Sequence, residues 1–244
     1  MAAFLDRIKT RASDSLEEFP DVTRYLIKER LIPAPFLETY KVGFTDALTV
    51  RAEDTPEYLE MKKETYDFRG LQGRILFPVT SCIGGTMGFS TRRIKEEVNA
   101  EGVKLQRYKT FLSSEAKSVG AFFGIEQALA SMIKTGFVYV TEGAVDCMSL
   151  ATVFPNTISS LTSMLTEPQM WTLSMLVDKV VLVFDSDAPG RYGASVVIEK
   201  YGSKLVKNMD LGYHDANTAL TTLGYSGFKS YVNTKLRFIN FSLR

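Results

Sequence analysis

The chain has 244 residues, 45% hydrophobic and 23% charged, the balance of a globular protein with room for one large domain or two small ones. Lys and Arg total 29 against 28 Asp and Glu, so there is no overall attraction to polyanions, and any nucleic-acid contact must rest on local positive charge. Two cysteines and one histidine cannot supply a four-ligand structural zinc site, no apolar run nears the roughly 20 residues that span a bilayer, and the N-terminus lacks a signal-peptide core. A cytoplasmic protein without zinc or membrane contact is expected, and any metal must sit mainly among carboxylate oxygens.

In "DVTRYLIKERLI", Asp21 to Ile32, residues Val22, Tyr25, Leu26 and Leu31 recur at helical spacing until Pro33 and Pro35 interrupt it. Residues 51–67 are polar without an apolar face and read as a solvated loop or connector. From Gly73 the texture changes to short β-like runs, "GRILFPVT", "GGTMGFST" and "LQRYKTFL", with "RRIKEEVNAEG" as a hairpin excursion between the last two. Residues 1–123 therefore read as an α+β lobe with an antiparallel sheet.

From Gly124 helix and strand alternate. "IEQALASMIK" reads as a helix, "FVYVTEG" as a strand, "AVDCMSLATVF" as a helix and "NTISSL" as a short strand. In "TEPQMWTLSML", Thr166 and Gln169 have capping-box spacing with Pro168 in the first turn. Strand "KVVLVFD", helix "APGRYGASVVIEKYG" and short strand "KLVKNMD" follow. Strands that are continuous apolar runs alternating with helices predict a mainly parallel sheet covered on both faces over residues 124–222, an α/β unit within an α+β whole. Residues 223–244 form a tail or helix whose basic and aromatic mix suits docking on the core or on a partner.

In such sheets ligands sit beyond the carboxyl ends of the strands. Glu142 follows one strand there, with Asp146 in the next helical turn; Asp185 and Asp187 follow another, and Asp215 in "GYHDANTAL" follows a third. Each has a bland explanation: Asp187 and Asp215 are good N-caps, and Glu142 and Asp146 suit a helix N-terminus. Convergence is harder to explain that way. Like charges 4 Å apart repel by about 4 kcal/mol at an effective dielectric near 20, so such a cluster calls for cations or raised pKa values.

These words together resemble the TOPRIM domain of bacterial-type (DnaG-type) DNA primases and their phage relatives. "VTEGAVDCMSL" is similar to that family's E-G-x-x-D element, "VVLVFDSDAPGRYGA" to its D-x-D-x-x-G segment and "YHDANTAL" to its last acidic element. Outside TOPRIM, "FRGLQGRILFPVTSCIGGTMGFSTRRI" and "RYKTFLSSEAKSVGAFFGIEQAL" resemble the family's basic strand pair and the segment leading to its next helix. The resemblance spans roughly residues 20 to 222. Departures are Ser186 where the family often has Gly, and "TFLSS" where it has an asparagine.

The resemblance implies template-directed joining of ribonucleoside triphosphates on single-stranded DNA, aided by Mg2+ or Mn2+ in a two-metal site. On matching positions it implies Asp185, Asp187 and Asp215 as metal ligands, Glu142 as ligand or general acid/base, and Asp146 as a supporting acid. It implies Arg74, Arg92, Arg93, Arg107, Tyr108 and Lys109 as nucleic-acid or NTP contacts, joined by Arg191 as a phosphate contact or a surface residue. Phe89 and Tyr108 also read as core positions, and His214 reads as a surface neighbour of Asp215. The family's zinc-binding and helicase-interacting modules are not matched here, which implies a replicative helicase or a separate zinc-binding, template-selecting subunit as partner. Such compactness suits a phage-encoded protein in a host cytoplasm. A haloacid-dehalogenase-type phosphatase carries its D-x-D on the first strand, and a topoisomerase needs strand-passing domains. A TOPRIM nuclease and a non-catalytic, nucleic-acid-binding relative of primase remain the rival readings.

Overall fold

In the computed structural model, which describes residues 2–45, 71–96, 98, 102 and 104–237, two four-stranded sheets organise the chain. The polar connector expected at residues 51–67 lies outside the described residues, as do residues 238–244.

The N-terminal segment comprises α1 (Ala2–Asp14), a 3-10 turn (Ser15–Glu18), α2 (Pro20–Arg24), a π-helical turn (Tyr25–Glu29) and α3 (Ala34–Thr39). The helical spacing in residues 21–32 is thus realised as α2 running on into the π turn. It stops at Leu31, whose φ of 51° reverses the chain just before Pro33. The antiparallel sheet follows as β1 (Gly43–Thr45), β2 (Arg74–Thr80), β3 (Thr86–Arg92) and β4 (Tyr108–Leu112), in that order. Period-two alternation gives this sheet two buried faces. Ile75 and Phe77 join the core under α2 and α3, whereas Leu76, Phe89 and Phe111 are covered by Phe4, Leu5, Ile8 and Ala12 of α1.

After the short α4 (Ser114–Ser118), the alternating part unfolds as read from the sequence: α5 (Ile125–Thr135), β5 (Phe137–Thr141), α6 (Ala144–Ala151), β6 (Thr157–Ser159), α7 (Glu167–Leu176), β7 (Lys179–Val183), α8 (Ala188–Tyr201) and β8 (Val206–Asn208). The strands are all parallel in the order β6-β5-β7-β8. Val138, Val140, Val180 and Leu182 point to a core shared with α5, α7 and α8. Tyr139, Val181 and Val183 point the other way, toward α6 and α9 (Ala216–Arg237). The capping box of α7 is formed in both directions by Thr166 and Gln169.

Helix α9 breaks at Gly224, and beyond the break Phe228 and Val232 are fully buried against Met209 and Leu211. The chain from residue 225 to 237 therefore docks on the parallel sheet. Phe123 joins the two halves: its backbone exchanges hydrogen bonds with Ser159 on β6, while its ring packs on Tyr40 and Phe77. No helix among the described residues is long and apolar enough to cross a membrane.

Candidate functional site

The carboxyl edge of the parallel sheet gathers the acids. Glu142 leaves β5, and its Oε1 accepts the backbone N–H of Asp185 beyond β7 at 3.0 Å. Asp146, in the first turn of α6, accepts the backbone N–H of Asn217 at 2.9 Å. Asp187 caps α8 by accepting the Gly190 N–H at 2.8 Å. Asp215 caps α9 by accepting the Thr218 N–H at 2.6 Å, and its other oxygen meets His214 Nδ1 at 3.2 Å. Capping is therefore real at both positions, and each cap uses one carboxylate oxygen; the second oxygen of Asp215 faces His214, and Asp187 keeps its second for another partner.

Glycines explain how the edge closes so tightly. A Cβ on Gly190 would lie 2.2 Å from the Asp185 carbonyl oxygen and 2.6 Å from Glu142 Oε1; on Gly193 it would lie 1.7 Å from the Ser163 carbonyl oxygen. Gly190 lets the first turn of α8 sit directly on the Asp185 loop and Glu142, and Gly193 lets the next turn sit on the loop between β6 and α7.

One ligand atom each from Asp185, His214 and Asp215 lie within 4.8 Å of one another, a group able to hold a metal ion. Burial raises the pKa of Glu142 to about 7, against the pull of the Asp185 amide and with added repulsion from Asp187 and Asp146. Burial and then repulsion from Glu142 and Asp215 raise Asp185 to about 7. Asp146 is also pushed up, by burial first and by Asp215 and Asp185 next. All three carboxylates are thus pushed up first by burial and then by one another, and a divalent cation held among them would draw all three back toward ionisation. Oxygen donors with one imidazole fit a hard divalent ion, and the imidazole favours manganese over calcium.

Across a cavity of about 450 Å³ stands the wall from the antiparallel sheet, with Ser90, Arg92, Arg107, Tyr108 and Thr110 facing Glu142, Asp146, Asp185, His214 and Asp215. The Arg92 guanidinium lies 4.8 Å from the Tyr108 ring centroid and 5.5 Å from that of Tyr25. Tyr108 is half exposed, whereas Phe89 is fully buried in the core. The remaining basic positions fall elsewhere. Strand alternation turns Lys109 to the opposite face, over the Phe111 ring, and Arg74 is buried, donating to the carbonyls of Gln106 and Arg107. Arg93 lies past the end of β3, outside the cavity lining, and exposed Arg191 folds back on the Ser186 carbonyl.

The family model for Toprim-like domains matches residues 139–220, from β5 into α9. The chain carries a Toprim-like domain. Among curated relatives, the DNA primase of Lactococcus lactis is 26% identical over 141 residues, covering 57% of this chain and 22% of that protein. The DNA primase of Helicobacter pylori is 29% identical over 191 residues, covering 75% of this chain and 32% of that protein. The chain thus spans a third or less of these relatives' own lengths. A solved DnaG primase catalytic domain bound to single-stranded DNA superposes with a TM-score of 0.77 at 18% identity, covering 96% of this chain and 80% of that one. The fold, including the sheet that precedes the Toprim-like domain, is that of a DnaG catalytic core.

Two residues of the cavity, Asn217 and Arg30, escape the sequence reading, which placed a third, His214, only as a neighbour of Asp215. His214 is the exposed neighbour of Asp215 that the sequence suggested, and its ring also comes within reach of Asp185. Asn217 had a local signal, since it stands two positions after Asp215 as Asp187 does after Asp185. Arg30 had none: it reaches Asn217 Oδ1 at 3.2 Å from 187 residues away in sequence.

Proposed function

We propose that the chain is the catalytic core of a DNA primase, a nucleotidyltransferase that joins ribonucleoside triphosphates into short RNA primers on single-stranded DNA. One observation carries the reading: the acid cluster of a Toprim-like domain opens onto a cavity whose far wall is arginine and tyrosine, within a DnaG-type fold.

On this reading Asp185 and Asp215 are the principal ligands for Mg2+ or Mn2+, with His214, the free oxygen of Asp187 and Glu142 completing a two-ion site. Divalent ions held there supply neutralisation of triphosphate charge and a lower pKa for the attacking hydroxyl. Glu142, tied to the Asp185 amide, fixes the separation of the two strand ends. Asp146 ties α6 to the start of α9. Arg92 and Arg107 hold phosphates across the cavity, and Tyr108 offers a face on which a template base stacks. Residues 1–123 serve as the template-facing lobe and residues 124–222 as the metal-bearing unit. A replicative helicase, or a separate zinc-binding subunit that selects the template site, is the partner class this enzyme uses in the cytoplasm.

The test is to incubate the purified chain with a single-stranded template, labelled NTPs and Mg2+ or Mn2+. Short RNA products are expected, and an Asp185→Ala, Asp187→Ala double variant should make none. Full synthesis by that variant overturns the assignment. Template shortening without RNA products replaces primase with nuclease, and binding with neither leaves a non-catalytic relative.

A further inference from the structure

Arg30 and Asn217 form a link that neither the Toprim-like match nor the acid cluster explains. Asn217 is 2% exposed and fully bonded: its N–H donates to Asp146, its Nδ2 donates to the Arg30 carbonyl at 2.7 Å and to Ser149 Oγ at 2.9 Å, and its Oδ1 accepts from Arg30 Nη1. Arg30 in turn donates through Nε to the Tyr25 hydroxyl at 2.8 Å, and its guanidinium lies 5.1 Å from the Tyr25 ring centroid. One residue on, the Leu31 carbonyl accepts from Tyr225 Oη at 2.8 Å, so both halves of α9 grip the reversed turn at residues 30–31. Tyr25 also carries Arg92 on its ring. A continuous chain of contacts therefore runs from the Arg92 and Tyr108 wall through Tyr25, Arg30 and Asn217 to Asp146 and the first turn of α9, where Asp215 sits.

We infer that Arg30 and Asn217 are positioning residues that lock the N-terminal segment to the start of α9 and so set Asp215 in register with Asp185. The physical reason is geometric. Asp215 sits at a helix terminus beyond the end of β8, where the Ser186 N–H donating to the His214 carbonyl at 2.8 Å ties its loop to that of Asp185, and the two-bond link from residue 30 adds a second constraint from a distant segment. In its metal-binding consequence the inference rests on the proposed function; in its structural consequence it does not.

A charge argument and a positioning argument predict opposite signs. Arg30 lines the same cavity as the acids, so if it acted only as a positive charge, removing it would tighten cation binding there. If it positions Asp215, removing it weakens binding, and a lysine, which keeps the charge but lacks the planar fork, does not rescue.

The experiment titrates wild-type, Arg30→Lys, Arg30→Met and Asn217→Ser proteins with Mn2+, reading free ion by electron paramagnetic resonance. Backbone amide exchange at Asn217, relative to the amides of β5, is followed without metal. Both Arg30 variants should bind Mn2+ about tenfold more weakly, the scale seen for residues that orient ligands. Asn217→Ser should match them, and adding Arg30→Met to it should cost nothing further. In each Arg30 variant the Asn217 amide should exchange faster while the amides of β5 are unchanged. Unchanged affinity in Arg30→Lys with tighter binding in Arg30→Met overturns the inference. If wild-type protein binds no Mn2+, the metal reading falls and exchange decides alone: selective acceleration at Asn217 sustains the positioning role, and unchanged exchange ends it.

Discussion

Glu142 Oε1 accepts the backbone N–H of Asp185 at 3.0 Å, so the acid that ends β5 holds the acid that ends β7. The bond lets substitutions separate structure from chemistry. Glu142→Gln keeps an oxygen for the amide and removes a buried charge, so without metal at pH 8 it should melt above wild type. Glu142→Ala removes the acceptor and should cost about 1 kcal/mol relative to Glu142→Gln, because a partly buried N–H is left unpaired. Both should reduce primer synthesis by about 100-fold or more. Thermal melts beside a primer assay check the two effects, and wild-type synthesis by Glu142→Gln would remove Glu142 from the chemistry.

Folding raises Asp185 from its ordinary 3.8 and Glu142 from its ordinary 4.5, each to about 7. Between those limits the folded chain binds more protons than the unfolded one, so this cluster's contribution to stability falls as pH rises from about 4 to about 7. Metal-free protein should therefore lose several degrees of melting temperature from the cluster between pH 5 and pH 8. Millimolar Mg2+ or Mn2+ should restore them at pH 8, where the carboxylates are free to bind it. Asp185→Asn should flatten the metal-free pH profile and abolish most of the response to metal. Melting curves at the two pH values, with and without ion, decide it; a wild-type profile that is flat, or steeper in Asp185→Asn, contradicts the electrostatic account.

The parallel part was legible because its strands are apolar runs buried on both faces and its helices carry recognisable caps, such as Thr166 with Gln169. The long separations among Glu142, Asp185 and Asp215 carry no local signal, yet each could be assigned because a strand end directs it to the same edge. The basic wall was legible only in part. Arg92, Arg107 and Tyr108 reach the cavity, while strand alternation and a buried pair of carbonyl bonds take Lys109 and Arg74 elsewhere. Helix α1 showed no clear signal, although it covers one whole face of the antiparallel sheet. Arg30 was beyond reach, since its meaning lies in a partner distant in sequence.

Tyr139 is fully buried between the ring of Phe154, 4.4 Å away and stacked, and that of Phe137, yet its hydroxyl has no hydrogen-bond partner. Tyr139→Phe keeps both ring contacts and removes a polar group that folding strips of water. It should raise stability by about 1 kcal/mol, or roughly 2–4 °C in melting temperature for a chain of this size. Primer synthesis should not change, because this side chain faces α6 and α9 rather than the cavity. A melt and an activity assay suffice; a clear loss of stability would mean that the hydroxyl has a partner in solution.

Tyr108 and Lys109 are adjacent on β4 but point to opposite faces. A base stacked on an aromatic ring contributes about 1–3 kcal/mol, so Tyr108→Ala should weaken single-stranded template binding by roughly 5- to 160-fold. Tyr108→Phe should bind nearly as wild type, since the ring and its contact with Arg92 survive. Lys109→Ala should have a small effect. Fluorescence anisotropy with a labelled oligonucleotide ranks the three, and a larger loss in Lys109→Ala than in Tyr108→Ala would place the strand on the other face of the sheet.

Asp187 raises a different question, because its cap on α8 explains its presence without any metal. An asparagine caps a helix about as well as an aspartate, whereas alanine costs about 0.5–2 kcal/mol. Asp187→Asn should therefore melt within a degree or two of wild type, and Asp187→Ala should melt lower. If the second oxygen of Asp187 binds metal, both variants lose primer synthesis to a similar extent, and Mn2+ restores part of it better than Mg2+ does, because manganese accepts a neutral donor more readily. If Asp187 is only a cap, activity follows stability, and Asp187→Asn is as active as wild type. The pair of variants thus separates the two roles of one carboxylate by comparing a melting temperature with a rate.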